Sequence, residues 1–250
     1  MLATDLRLAL DPVAFARSLG FSPDAWQARA LRWNGRRGLW NCARQSGKST
    51  VAALLAVHRA IYRPDSLVLL VSPSLRQSSE LFRKTGDWLA RLPDAPGMPE
   101  DNRLSCTLAN GSRIVSLPGS EDTIRGYSGA ALLLIDEAAR VADLLYYSVR
   151  PMLAVSGGWL LAMSTPFGKR GWWHQEWTAG GASWDRVEIK AAECPRISPE
   201  FLEEERRSLG YFYAQEYECE FRETTDQLFT FDLVQSAVTA DVKPLFGVAV

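Results

Sequence analysis

Short apolar runs alternate along this chain with stretches whose apolar residues recur every three or four positions, the pattern of strands and helices taking turns. Gly38–Cys42 predicts a first strand, and the spacing from Lys48 to about Tyr62 predicts the helix after it. Arg63-Pro64-Asp65 breaks the chain before a second strand, Leu67–Val71. Ser72-Pro73-Ser74 opens a second helix, with Leu75, Leu81, Phe82, Trp88 and Leu89 spaced for one buried face. A Pro-rich loop runs from Pro93 to Pro99. Two short strands follow, near Leu104–Leu108 and Arg113–Leu117, with the hairpin signal Asn110-Gly111 between them. Ala130–Ile135 is apolar throughout and reads as a central parallel strand buried on both faces. A helix Asp143–Leu153 and a buried strand Trp159–Met163 complete the core. From Gly171 the pattern is helix, strand (Val187–Ala191) and a charged helical stretch from Pro199 to Phe221, read as a small subdomain closing over the core. The alternation predicts an α/β fold, a mostly parallel central sheet flanked by helices.

Composition narrows the function classes. The longest unbroken apolar run, Val51 to Val57, is far short of the ~20 residues a membrane span needs, so a soluble protein with no membrane partner is expected. Lys and Arg number 28 against 29 Asp and Glu, so any contact with nucleic acid must come from local patches. The four cysteines, Cys42, Cys106, Cys194 and Cys219, form no C-x-x-C pair and read as small buried hydrophobes. With only His58 and His174 available, a zinc-hydrolase reading fails.

The sharpest chemistry lies at Cys42-Ala43-Arg44-Gln45-Ser46-Gly47-Lys48-Ser49-Thr50, between an expected strand and an expected helix. That is the setting of a phosphate-binding loop, whose backbone amides at a helix N-terminus cradle phosphate oxygens. Gly47 would permit close backbone approach, Lys48 would reach the β- and γ-phosphates, and the Ser49 hydroxyl would hold Mg²⁺. The pattern G-x-x-x-x-G-K-[ST] has Cys42 where its first glycine belongs. Arg44, inside the loop, is expected to place a cation on the γ-phosphoryl group; the alternative is a structural pair with a carboxylate.

Leu132-Leu133-Leu134-Ile135 runs straight into Asp136-Glu137. A carboxylate at the end of an apolar strand in such enzymes sits beside Mg²⁺, which falls to Asp136. The next one points elsewhere and can deprotonate an attacking water, which makes Glu137 the expected general base. The bland alternative is an acidic turn capping the next helix. Ser164-Thr165-Pro166-Phe167-Gly168 closes a neighbouring strand, where Ser164 and Thr165 would sense the γ-phosphate.

Together these residues resemble the ATPase domain of the large terminase subunit of tailed double-stranded DNA bacteriophages. Ala43-Arg44-Gln45-Ser46-Gly47-Lys48-Ser49 resembles that family's deviant Walker A, Leu133-Leu134-Ile135-Asp136-Glu137-Ala138 its Walker B, and Ser164-Thr165-Pro166 with Gly168 its coupling motif. Asp24-Ala25-Trp26-Gln27 resembles its adenine-contacting segment, which implies nucleotide contacts from Trp26 and Gln27, with Gln27 on the base. Arg125-Gly126 and the segment Phe212 to Phe221 also fit, so the match spans about residues 20–229. The resemblance implies a P-loop NTPase of the ASCE/RecA-like kind: residues 1–190 an ATPase core, 191–229 a lid subdomain, 230–250 a linker and the start of a nuclease domain. Phe246 to Val250 resembles the opening of that nuclease's first strand, so no DNA-cutting centre is expected here.

The implied role is an Mg²⁺-dependent ATPase that drives double-stranded DNA through a portal protein into a procapsid. It would work with a small terminase subunit in the cytoplasm of the infected bacterial host. The family's motors are homo-oligomeric rings, monomers when alone, in which a neighbour supplies an arginine finger. Arg103 is the expected trans arginine, with Arg91 and Arg125 as competitors. Lys169-Arg170-Gly171-Trp172-Trp173 suits transient DNA phosphate contact, or equally a turn whose tryptophans pack in the core. Two other readings share the Walker motifs: a helicase-like DNA-dependent ATPase, and a nucleotide-gated assembly module without turnover. The helicase reading needs a second motor domain, for which too little chain remains after Phe221.

Overall fold

The structure is a computed structural model that describes residues 2–92, 100–102, 104–119, 126–223 and 229–238. The Pro-rich loop at 93–99 lies outside those residues. Three short helices lead in: α1 (Leu2–Leu10), α2 (Pro12–Ser18) and α3 (Ala25–Leu31). Next come β1 (Arg37–Cys42), α4 (Lys48–Tyr62), β2 (Leu67–Ser72) and α5 (Leu75–Leu89). The strands β3 (Glu100–Asn102), β4 (Ser105–Thr107), β5 (Arg113–Pro118) and β6 (Ala130–Asp136) follow. The chain then continues through α6 (Asp143–Val149), β7 (Trp159–Ser164), α7 (Gly171–Ala179), β8 (Asp185–Ile189), α8 (Pro199–Leu209), α9 (Tyr213–Tyr217) and α10 (Phe231–Ala237).

The strands form one sheet in the order β3-β4-β5-β2-β6-β7-β1-β8, parallel from β5 to β8 and antiparallel at β3 and β4. This is the expected α/β architecture, and its order decides where the chemistry sits. β7 lies between β1 and β6, so the strands carrying the phosphate loop, the coupling residues and the acidic pair end side by side. Strand periodicity explains why both faces are dry: Val68, Leu70, Leu132, Leu134, Leu161 and Met163 join one core with α4 and α5. The alternate residues Leu69, Val71, Leu133, Ile135, Leu160 and Ala162 join the other core with α6 and α7.

Several local expectations change. Leu75 is 59% exposed because it opens α5, capped by Ser74, ahead of the face that buries Leu81, Trp88 and Leu89. The helix from Asp143 stops at Val149 and tightens into a 3-10 turn over Arg150–Leu153, since Pro151 has no N–H to continue the ladder. The last strand, β8, starts and ends slightly earlier in the chain than expected. The stretch 199–221 is not one helix: Gly210, at φ 50°, ends α8 and re-aims the chain into α9. Of its charged residues, Arg207 pairs with Glu203 at 3.5 Å, whereas Arg206 reaches Glu218 at 3.0 Å.

Trp172 and Trp173, each 1% exposed, belong to the core rather than to a DNA-facing loop. Trp172 stacks on Tyr146 at 3.8 Å between ring centres, and its indole N–H donates to Val141 O at 3.0 Å. It therefore ties α7 and α6 to the turn just after the acidic pair. Trp172→Ala is expected to cost about 3–5 kcal/mol in urea unfolding. A loss below about 1 kcal/mol would show that the site repacks freely.

Candidate functional site

The phosphate loop leaves the sheet at Cys42, the last residue of β1, and enters α4 at Lys48. Cys42 keeps ordinary strand geometry, fully buried; the left-handed residues of the loop are Gln45 (φ 60°) and Gly47 (φ 91°). The glycine of the usual pattern is therefore not required at position 42. Burial pushes the Cys42 thiol up to about 12, so it stays a neutral packing group. All four cysteines are free and buried.

Neighbouring segments fix the loop. Ala43 N donates to Ile189 O and Arg44 N to Glu216 O, both at 2.8 Å. Gly47 packs against the Gln27 side-chain amide so closely that an added Cβ would lie 2.7 Å from Nε2. Gly47→Ala combines that contact with left-handed backbone and should cost about 1–3 kcal/mol of strain, measurable by denaturant unfolding. An unchanged midpoint would mean that the loop relaxes.

Lys48 is 7% exposed and lies under the loop, its Nζ 3.1 Å from Glu137 Oε1 and 3.4 Å from Thr165 Oγ1. Burial alone would lower its pKa, but the attraction of Glu137 and Asp136 outweighs that and holds it above the ordinary lysine value. Ser49 Oγ donates to Asp136 Oδ2 at 2.8 Å. Asp136 is buried at the end of β6, and burial pushes its carboxyl above the usual range despite Lys48 nearby. Glu137 takes a left-handed backbone conformation (φ 50°) and makes no side-chain capping bond to the 3-10 turn Ala138–Arg140. The acidic-turn capping alternative therefore has no support. At the end of β7, Ser164 Oγ accepts from Ala139 N at 3.1 Å, so both hydroxyls of the expected coupling pair touch the site.

The family model described as "Terminase large subunit, T4likevirus-type, N-terminal" matches residues 40–236. This chain belongs to the large terminase subunit family. It is 29% identical over 206 residues to the large terminase subunit of Thermus phage G20c, a match covering 75% of this chain and 42% of that relative. The chain thus spans less than half the length of that curated terminase. The terminase fold agrees with solved structures: the large terminase ATPase domain of Thermus phage P74-26 superposes with TM-score 0.73 at 23% identity, covering 83% of this chain and 97% of that one. The large terminase of another thermophilic bacteriophage, solved in complex with ADP, superposes with TM-score 0.62 at 16% identity, covering 79% and 53%.

Not every expected residue of this terminase chain stands where the motif placed it. Lys48, Ser49, Asp136, Glu137, Ser164 and Thr165 converge. Ser46 is buried with its Oγ unpartnered, while Gln45 is exposed and Thr50 half-buried at the start of α4. Arg44 is 65% exposed and pairs with Glu216 of α9 at 3.3 Å instead of standing over the phosphate cradle, because α9 brings a carboxylate beside the loop. Trp26 is 3% exposed in the core under α3 and α4, which corrects the expectation that its ring meets nucleotide. Gln27 does reach the loop, but its Oε1 accepts from Asp24 N at 3.1 Å in a reciprocal helix cap.

Arg103 and Arg125 lie outside the described residues. Arg91 lies over Trp88, 4.5 Å from the ring centre, and donates to Leu19 O, an intrachain anchor. Lys169 pairs with Glu223 at 3.2 Å.

Two site residues escape sequence reasoning. Arg140 holds Glu137 Oε2 at 3.1 Å from one turn onward and lies over Phe167. Its spacing of three from Glu137 was a signal available in the motif. Arg196 donates to Ser46 O and pairs with Asp24, tying the segment between β8 and α8 to the loop and to the start of α3. No local pattern marks it, since its partners lie 150 and 172 residues away.

Proposed function

We propose that this chain is the ATP-hydrolysing motor domain of a viral DNA-packaging terminase. One observation carries the reading: Lys48, Ser49, Asp136 and Glu137 meet at the carboxyl ends of β1 and β6, parallel strands on either side of β7, in a chain of the large terminase family. That meeting point is the crevice where open α/β sheets bind ligands. A solved terminase of the same fold is an ADP complex, which agrees with a nucleotide as the ligand.

The donor set suits Mg²⁺: a hydroxyl and a buried carboxylate already in contact, with oxygen ligands only. Ser49 and Asp136 would hold the ion, which when bound neutralises charge on the phosphates. Lys48, buried and kept protonated, gives its charge to the β- and γ-phosphates. The amides from Ser46 to Thr50 receive phosphate oxygens at the start of α4. Glu137 takes a proton from the attacking water, and Ser164 and Thr165 link the γ-phosphate position to the Glu137 turn.

Residues 1–190 act as the core, 191–229 as a lid and 230–250 as a linker. The small third core of Ala43, Ala191, Tyr213, Tyr217 and Cys219 supports a lid seated on the loop. Double-stranded DNA, a portal protein and a small terminase subunit are the partners, and a ring of copies supplies an arginine in trans, with Arg103 or Arg125 in that role. The site of action is the cytoplasm of the infected bacterium. No helix among the described residues is long and apolar enough to cross a membrane.

Phosphate release by the purified chain tests this. It should require Mg²⁺, increase with double-stranded DNA and rise in specific activity with protein concentration. Tight ATP binding with no release, even with DNA and portal present, would favour the assembly-module reading. Strand displacement would favour the helicase.

A further inference from the structure

A cavity lies at the opposite end of the sheet from the phosphate loop. It has a volume of about 660 Å³ and is formed where the α1–α2 junction, the end of α3 and the second half of α4 meet the amino ends of β6 and β7. Its lining includes Asp11, Trp33, His58, Arg59, Arg63 and Trp159, and none of residues 43–50.

Arg59 is its unusual member. The residue is only 8% exposed, and its guanidinium lies 4.0 Å over the Trp159 ring. One nitrogen donates to Ala131 O at 3.2 Å, while Nε is buried with no partner among the described residues. No carboxylate pairs with it among the described residues. The acid in the lining, Asp11, is already held by Arg32 through two bonds of 3.1 and 3.0 Å and caps α2 through Val13 N. Arg63 adds a second cation whose side chain has no acidic partner among the described residues. Burial and the repulsion of Arg63 together pull the Arg59 pKa down to about 10, the mark of a charge short of a counter-ion.

A buried cation without a partner is costly unless something supplies negative charge and hydrogen-bond acceptors. Arginine forks match the geometry of phosphate and carboxylate, and flat rings offer faces or edges to a flat ligand. The volume falls in the range of small-molecule sites, which are mostly apolar with a few convergent polar groups. We propose that this cavity is a second ligand site that takes an organic oxyanion of mononucleotide size, its phosphate or carboxylate head on Arg59 and Arg63 and its flat body along Trp33 and Trp159. Arg59 stands at the far end of α4, about eleven residues and about 16 Å from Lys48 along the helix axis, so this site is separate from the phosphate loop.

Isothermal titration calorimetry on the full chain tests it, with deoxyadenosine 5′-monophosphate, benzoate and inorganic phosphate as separate probes. At least one organic anion should bind, and the two heads distinguish phosphate from carboxylate preference. Arg59→Met, which keeps an apolar stem on Trp159, should weaken that binding by about tenfold or more. Lys48→Ala should leave it unchanged. If Arg59→Met does not fold, Arg63→Ala, at an exposed position, should still weaken binding measurably. The proposal is overturned if neither organic anion binds, including the case in which only inorganic phosphate does. It is also overturned if binding survives the arginine substitutions or disappears with Lys48→Ala.

Discussion

Glu137→Gln is expected to lower the rate of ATP hydrolysis by about 10²–10⁴-fold, the contribution a positioned general base makes, while ATP still binds. The amide keeps the shape of the side chain and can still accept from Lys48, so the nucleotide cradle survives. What it loses is the capacity to take a proton from water. In the structure both carboxylate oxygens are engaged, one by Lys48 and one by Arg140, each at 3.1 Å. When Lys48 turns its charge to phosphate, the oxygen it held is freed for water. Single-turnover phosphate release measured beside ATP affinity separates the two effects. A variant that hydrolyses at the normal rate would remove Glu137 from the chemistry.

Lys48→Ala acts on the other half of the process. Truncating one partner of a buried, hydrogen-bonded charge pair costs about 2–5 kcal/mol, or roughly 30- to 4,000-fold in ATP affinity. The substitution also leaves Asp136 buried beside Glu137 without its nearest cation, so the nucleotide-free protein should lose stability as well. Thermal unfolding reads both. ATP with Mg²⁺ at about a hundred times Kd should stabilise the natural chain by about 2.7 kcal/mol. For a domain of this size that is roughly 5–11 °C in Tm. In Lys48→Ala the starting Tm should be lower, and the rise at the same ATP concentration should shrink to about a third or less, vanishing at the upper end of that affinity loss. An undiminished rise would place the nucleotide elsewhere.

The parts of the site legible in the sequence are those set by local rules. Lys48 and Ser49 open a helix straight after a strand, and Asp136-Glu137 and Ser164-Thr165 end strands. Once the strands are parallel and adjacent, these ends must meet. The burial of β2, β6 and β7 on both faces was legible for the same reason: each is an almost unbroken apolar run. The rest depended on partners far away along the chain. Arg44 looks like a phosphate ligand until Glu216, 172 residues on, claims it. Trp26 sits in a nucleotide motif yet faces the core. Trp172 follows Lys169-Arg170, and only the stack with Tyr146 shows that it packs inward. At the N-terminus, Asp11-Pro12 carries the cap and first-turn proline of α2, a signal that periodicity over 7 residues is too short to reinforce.

The most direct measurement is a crystal structure of the chain with a non-hydrolysable ATP analogue and Mg²⁺. The account predicts the triphosphate on the amides from Ser46 to Thr50, Lys48 Nζ moved onto phosphate oxygens, and the ion held from Ser49 and Asp136. A nucleotide bound elsewhere, with Lys48 still paired to Glu137, would contradict it.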